Sequence, residues 1–153
     1  MVVQFRAISQ KTTQQAELLF QERAAALRRL AAEKIAEAIV DYSPVDTGTY
    51  IMAHAAGSAE SAEAASRTSR GKARGRNPRQ FKTLALGNLK RSVSSAAVTA
   101  GQEIWFRNRA EHAVKVEYEG WPTKEAYHVY AKARAFARIA ISEAATELGF
   151  RTR

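Results

Sequence analysis

Residues 16–48 read AELLFQERAAALRRLAAEKIAEAIVDYSPVDTG, and the rest of the chain is organised around them. Apolar residues recur in this stretch every three or four positions, the spacing of one face of an α-helix. About 30 such residues, each rising about 1.5 Å, predict a rod of about 45 Å. Further apolar residues beside the main stripe widen the apolar surface, so we expect the rod to contact two neighbours. The stripe is Ala16, Phe20, Ala24, Leu27, Ala31, Ile35, Ala38 and Tyr42, and the flanking residues are Leu18, Leu19, Leu30 and Ile39.

A proline-containing segment follows the predicted helix. The helix should end at Ser43, because the ring of Pro44 disfavours helical backbone in the residue before it. Proline presets one backbone dihedral, the Asp46 carboxylate can accept backbone amides, and glycine tolerates positive φ. We therefore predict a structural turn without chemistry, made by Pro44, Asp46, Thr47 and Gly48.

The apolar residues of this chain are mostly small. They make up 46% of 153 residues, but 31 of them are alanine and 30 are valine, isoleucine, leucine or phenylalanine. This share lies at the lower edge for a self-sufficient globule, so we expect one domain that relies on neighbouring subunits. The lack of cysteine excludes a disulfide scaffold and a thiolate zinc site. No apolar run approaches the ~20 residues of a membrane span, and no signal peptide is recognised, so we expect a soluble, intracellular protein.

Positive charge is concentrated in one part of the chain. The formal net charge is +9, and residues 67–91 hold nine basic residues and no acid. Residues 53–80 contain no large apolar residue, so we predict a flexible insertion over about 53–80. Its basic side chains can neutralise nucleic-acid phosphates or meet an acidic protein surface. They are Arg67, Arg70, Lys72, Arg74, Arg76 and Arg79, followed by Lys82, Lys90 and Arg91.

The second half of the chain predicts a small sheet and a helix. Residues 90–99 alternate weakly, residues 100–101 form a turn, and residues 103–107 are compact and aromatic, which is typical of a β-hairpin. Residues 110–118 suit a short helix or a third strand. An alanine-rich helix is predicted over about 124–148, ended by Gly149. The fold class is α+β, with a long N-terminal helix, a small antiparallel sheet and a C-terminal helix packed on it.

The sequence offers few groups for catalysis. Its three histidines, His54, His112 and His128, are too far apart in sequence to share a helix turn, and no phosphate-binding or nucleophile motif is present. Glu117 and Glu119 have the spacing of one strand face, but solvated or interface carboxylates explain them more simply than catalysis. We predict no enzymatic activity, no metal and no cofactor.

Two phrases in this order resemble a known family. They are Ser43-Pro44-Val45-Asp46-Thr47-Gly48 after the long helix, and residues 112–120, HAVKVEYEG, after the predicted hairpin. They are similar to the PVDTG and YAxxVEYG signatures of the HK97 gp10-like tail-component proteins of tailed bacteriophages, which include the minor tail protein Z type. The resemblance spans about residues 12–148. Because the Leu-Arg-x-Ser-like segment of the family appears here at 89–92, some 40 residues late, it also implies an insertion.

The resemblance implies a structural protein of the phage neck. Members join the head connector to the tail as ring-forming head-tail joining or tail-completion proteins. It implies a homo-oligomeric ring, expected to be six-fold, that contacts head-closure or connector proteins and tail-tube or tail-terminator proteins. The basic segment, which the family pattern does not supply, can contact packaged DNA or an acidic partner surface there. The expected location is the virion neck, or the host cytoplasm during assembly, with no membrane contact. Candidate interface residues are Phe20, Leu27, Trp105, Glu117, Tyr118 and Trp121.

The alternative function is a nucleic-acid-binding module. In this hypothesis residues 67–91 form a flexible basic arm on a helical body. No aromatic residue lies between Arg67 and Arg79 to stack on bases. Salt-dependent binding to duplex DNA distinguishes the two hypotheses, because phosphate contacts weaken steeply with salt.

Overall fold

The computed structural model describes residues 10–45, 48–58, 77–97 and 103–150. These residues form an α+β fold in which three long helices pack together beside a two-stranded antiparallel sheet. Chain order runs α1 (Gln10–Tyr42), α2 (Thr49–Met52), β1 (His54–Gly57), α3 (Pro78–Ala97), β2 (Trp105–Asn108), a π-helix (Lys115–Glu119) and α4 (Val129–Glu147).

Helix α1 ends where the sequence predicted. Its last residue is Tyr42, and the Ser43 hydroxyl donates a hydrogen bond of 2.6 Å to the Ile39 carbonyl oxygen, which satisfies one acceptor of the last turn. The helix begins before the predicted apolar stripe, which starts at Ala16, because α1 is already helical at Gln10. Residues 1–9 lie outside the described part of the chain.

Helices α3 and α4 both run antiparallel to α1. Lys34 of α1 pairs with Glu143 and Glu147 near the end of α4, whereas Tyr130, at the start of α4, lies beside the end of α1. Hydrogen bonding to Glu147 raises the pKa of Lys34. Ion pairs from α3 follow the same order, since Lys82 meets Asp41 and Lys90 meets Glu37.

The predicted hairpin is wrong in its first strand. Residues 90–97 belong to α3, and β2 pairs with β1, so that His54 faces Asn108 and Gly57 faces Trp105. Every fourth residue of α3 is buried, from Phe81 through Ala85 and Leu89 to Val93, which makes a helical stripe against the core. Asn77 caps this helix, because its side-chain oxygen accepts the amide of Arg79 at 3.0 Å.

The predicted insertion is wrong at both ends. Residues 54–57 form β1, and the Ala56 amide donates to the Ser92 hydroxyl of α3 at 3.2 Å. Residues 78–80 begin α3. Small side chains made this region look unable to pack, yet they are what lets β1 lie closely against α3. Residues 59–76 lie outside the described residues, so the remainder of the insertion stays a prediction.

The C-terminal part of the fold also refines the predictions. Residues 110–118, for which helix and strand were both open, become a helical turn that continues into the π-helix. Helix α4 begins at Val129 rather than near residue 124, and Gly149 follows it with a φ of 71°, as a terminating glycine should. On α4, Ile141 is half exposed, whereas Ala140 is fully buried.

The core is small and built largely from alanine and β-branched residues. It sits where the second half of α1 meets α3, the sheet and the start of α4. Its largest fully buried side chains are Ile39, Ile51, Leu89, Val40, Val93, Val116 and Val129.

Candidate functional site

The two phrases that carry the family resemblance meet on one surface groove. Pro44 and Gly48 form part of one wall, and residues 112–127 supply the others. The groove has a volume of about 770 Å³, within the range of about 300–1,000 Å³ that is usual for binding pockets. Its lining residues are Pro44, Gly48, Tyr50, His112, Lys115, Val116, Trp121, Pro122, Thr123, Lys124 and Tyr127.

Gly48 shapes the first wall of the groove. Its φ is 77°, the left-handed region that the predicted turn requires. A Cβ atom at this position would lie 2.5 Å from Cε1 of the buried Phe81 ring, so glycine also admits a close approach of α3. Asp46 and Thr47 of the predicted turn lie outside the described residues.

Gly120, in the second wall of the groove, also combines a positive φ with a close contact. Its φ is 70°, and a Cβ atom there would lie 2.5 Å from the Lys124 carbonyl oxygen. The Gly120 amide closes the π-helix on the Lys115 carbonyl oxygen at 2.8 Å. Trp121 and Lys124 then pair through their backbones, which turns the chain over the groove. Glycine is thus required at this position for backbone conformation and for space.

Glu117 is buried and supports the groove from beneath. Its Oε1 accepts the amides of Tyr130 at 2.9 Å and Ala131 at 3.1 Å, so the carboxylate satisfies the first turn of α4. Its relative exposure is 5%. The prediction that Glu117 is an interface residue is therefore corrected, because this side chain stabilises a helix start inside the subunit.

A buried polar network lies behind the groove. The Ser43 hydroxyl donates to Ile39, so its oxygen is left to accept from His54 Nε2 at 2.7 Å, which assigns the ring hydrogen to that nitrogen. His54 Nδ1 then accepts from the Tyr130 hydroxyl at 2.9 Å. Asn108 Nδ2 donates to the Tyr50 carbonyl oxygen at 2.8 Å and lies 3.2 Å from His54 Nδ1.

The buried pair of Ser43 and His54 is not arranged for nucleophilic catalysis. Burial lowers the pKa of His54 to about 3, so the imidazole stays neutral at physiological pH. The Ser43 hydroxyl is committed to a carbonyl oxygen, and its side chain lies inside the subunit. Burial likewise raises the pKa of Tyr130 far above its usual range. The network joins the end of α1 to β1 and α4.

Two polar atoms near the groove lack partners within the described part of the chain. They are the Tyr50 hydroxyl and Glu117 Oε2, both buried. Burial first, and the Glu117 charge second, raise the pKa of Tyr50 well above its usual range, so this hydroxyl keeps its proton. Tyr50 lines the groove with a relative exposure of only 3%. A buried hydroxyl without an acceptor is costly to the fold.

The charged side chains among the residues lining the groove are both lysines. Lys115 and Lys124 form no ion pair within residues 10–45, 48–58, 77–97 and 103–150. Lys115 Nζ lies 5.7 Å from the centroid of the Trp121 ring, a cation–π distance. The groove thus combines an apolar and aromatic floor with a positive rim.

A second unpartnered surface lies at the far end of α1. Residues 14–22, named the tip below, are exposed on every face of the helix. Leu18, Leu19 and Phe20 have relative exposures of 60%, 57% and 74%. The nearest aromatic contact is made by Arg23, whose guanidinium lies 4.9 Å from the Phe150 ring centroid. The sequence signal for this surface was the run of three apolar residues, too wide for one stripe.

The predicted interface residues lie in different places. Phe20, Trp105, Tyr118 and Trp121 are exposed in the subunit, so their role stays a prediction. Leu27 is partly buried along α1. Tyr50, Lys115 and Lys124 were not predicted to share a site, since nothing in their spacing shows that the ends of α1 and the π-helix meet.

The described part of the predicted basic segment lies on α3. Lys82 and Lys90 are engaged by Asp41 and Glu37, and Arg91 hydrogen-bonds Asn88 within the helix. Arg79 is exposed at the helix start. The other predicted contact residues, Arg67, Arg70, Lys72, Arg74 and Arg76, lie outside the described residues.

Within the described part of the chain, no cluster of three or more histidine, aspartate or glutamate side chains could hold a metal ion. None of the helices described there combines the length and apolar character needed to cross a bilayer. Comparison of this chain with protein-family models, curated proteins and solved structures gives no match.

Proposed function

We propose that this chain is a structural protein of a tailed bacteriophage or prophage, which forms a ring in the neck and joins the head connector to the tail. The observation that carries the proposal is the exposed apolar tip of α1. Helices in proteins are stabilised mainly by burial of an apolar face. The exposed apolar tip has no such cover within the described part of the subunit, and a neighbouring copy can provide it.

The groove supports the same proposal. The residues for which the chain resembles the phage family lie more than 60 positions apart in sequence, yet they line one surface feature. Gly48 and Gly120 are each held at positive φ in contact with neighbouring groups. Two segments that form one structural site must lie close together in the fold. Two segments that resemble a family only by chance have no reason to do so.

The proposed role is mechanical. Ring closure is heterologous, so each subunit presents two different complementary surfaces to its neighbours. The basic residues preceding α3 meet an acidic partner surface or the DNA end when the ring docks on the head connector. No step in this role requires a nucleophile, a metal ion or a cofactor.

Electron cryomicroscopy of the phage particles tests the proposal. We expect a ring of this chain between connector and tail, and we expect that a nonsense mutation in its gene yields filled heads and separate tails. Particles that lack the chain, or infectious particles from the mutant, would contradict the proposal.

Nucleic-acid binding by the purified chain is the competing outcome. We expect micromolar or weaker binding to duplex DNA at physiological salt, measured by fluorescence anisotropy, because Lys82 and Lys90 already pair with acids. Nanomolar binding that weakens steeply with added salt would favour the nucleic-acid-binding alternative.

A further inference from the structure

The tip of α1 has the composition of a docking element. Its three large apolar side chains are more than half exposed, and within residues 14–22 the charged residues are Glu17 and Glu22. Glu17 lies three positions before Phe20, and Glu22 lies three positions after Leu19. Residues three apart share a helix face, so each apolar side chain is accompanied by a negative charge.

The groove has the complementary composition. Its floor holds Val116, Trp121 and Tyr127, and its rim carries Lys115 and Lys124, with no acid among the lining residues that belong to the described part of the chain. A volume of about 770 Å³ admits a few large side chains rather than a whole helix, which suits the insertion of side chains from one helix turn.

The tip and the groove of one subunit cannot meet. Phe20 and Tyr42 are 22 residues apart on one continuous helix, which separates them by about 33 Å at 1.5 Å per residue. The groove begins at Pro44, immediately beyond that helix end. Any contact between these two surfaces therefore joins different molecules.

We infer that the tip of α1 in one copy docks into the groove of the next copy, with Phe20 and Leu19 on the apolar floor and Glu17 and Glu22 at the lysine rim. This inference rests on the proposed ring, for which it names the interface. A contact between two different surfaces is heterologous, so it propagates head to tail and closes into a ring when the rotation allows.

Charge complementarity favours the acidic tip as the occupant of the groove. A basic segment would meet Lys115 and Lys124 unfavourably.

Two variants that each destroy one side of the interface provide the test. Phe20→Asp places a charge on the tip, and the double change Lys115→Glu and Lys124→Glu reverses the rim. All three positions are exposed, so each variant should fold, as circular dichroism and thermal melting will show. Sedimentation of wild-type protein over a range of concentrations should show assemblies well above 16.9 kDa.

Each variant by itself should remain a monomer, with association weakened at least about 30-fold, as expected for a central interface residue. An equimolar mixture of the two should form a species of twice the monomer mass and nothing larger. One molecule still offers an intact groove and the other an intact tip, so a single productive contact remains.

Matched changes elsewhere serve as controls. Ile139→Asp alters an apolar side chain that is 53% exposed on α4, and Lys132→Glu with Arg138→Glu reverses two exposed charges there. Both should assemble as the wild type does. The inference is overturned if the wild type is monomeric, if either folded interface variant assembles normally, if the controls lose assembly equally, or if the mixture stays monomeric.

These results separate the interface from the proposed function. A mixture that pairs as described, together with phage particles that lack the chain, would leave the interface standing and remove the neck assignment. A ring seen in the neck, together with variants that fail to pair, would leave the neck assignment and remove this interface.

Discussion

Both halves of α1 carry large apolar residues, but their surroundings are opposite. In the second half, Ala36 and Ile39 are fully buried against α3, α4 and the sheet. In the first half, Leu18, Leu19 and Phe20 contact solvent over more than half of their surface. At about 1.5 Å per residue, α1 is about 50 Å long and α4 about 28 Å, so α4 leaves about 20 Å of α1 uncovered.

This difference shows that an apolar helix stripe does not identify its partner. Burial is favourable whether the covering surface belongs to the same chain or to another copy. The second half of α1 contributes to folding, and the first half is available for association. Substitutions should therefore separate sharply into those that change stability and those that change assembly.

The largest expected effect is acid destabilisation of the packed half. Burial holds the pKa of His54 at about 3 in the folded state, against 6.5 in an unfolded chain. The unfolded state thus binds an additional proton between these values, so stability is complete above pH 6.5 and falls as the pH drops toward 3. At about 1.4 kcal/mol for each pH unit, the loss reaches about 5 kcal/mol.

Urea unfolding at several pH values measures this effect, with His54→Gln as the reference because glutamine does not titrate. The difference between the two proteins isolates the contribution of the histidine, because every other ionisable group is common to both. A constant difference between pH 7 and pH 3.5 would show that His54 is not buried in a neutral form.

The next effect compares one truncation in each half of α1. Ile39→Ala should reduce the free energy of unfolding by about 2–5 kcal/mol, since it removes a side chain that is 1% exposed. Phe20→Ala should change it by no more than about 0.5 kcal/mol at concentrations where the protein is monomeric. Chemical denaturation checks both values, and a similar loss in the two variants would mean that the tip is packed within the subunit.

A smaller loss of stability is expected from substitutions in the turn that follows α1. Gly48→Ala combines a positive φ with a Cβ atom 2.5 Å from Phe81 and should cost about 1–3 kcal/mol. Gly149→Ala has a similar φ of 71° but open space around the Cβ position, so it reports the backbone strain without the collision. Thermal unfolding compares the two, and equal losses would remove the close approach of α3 from the explanation.

Helix α3 could have been predicted from its local sequence pattern. Asn77 followed by Pro78 is a helix start, and the buried residues from Phe81 to Val93 recur every four positions, so the signal for a helix was present in the sequence. The weak alternation of residues 90–99 competes with this signal, because it is typical of a strand. The true partner of β2 is β1, which consists of small residues and has no apolar pattern of its own.

The groove could be predicted only in part. Gly48 and the phrase around Gly120 were recognised as turns or signatures, because their residue types restrict the backbone locally. Their meeting on one surface depends on α4 folding back along α1, and on Glu117 capping α4 from the π-helix. No short-range pattern contains such contacts, since the groups that make them are distant in sequence.

The order of residues along the chain was sufficient to determine the length and end of α1, the concentration of basic residues, and the stop of α4 at Gly149. Each of these depends on neighbours within a few positions, through the proline ring, charge spacing or glycine backbone freedom. Which half of α1 is covered, which strand pairs with β2 and where the groove opens depend on packing among helices of unequal length. Those outcomes depend on the total apolar area buried in the subunit. That area is set by contacts between distant segments and cannot be read from one segment.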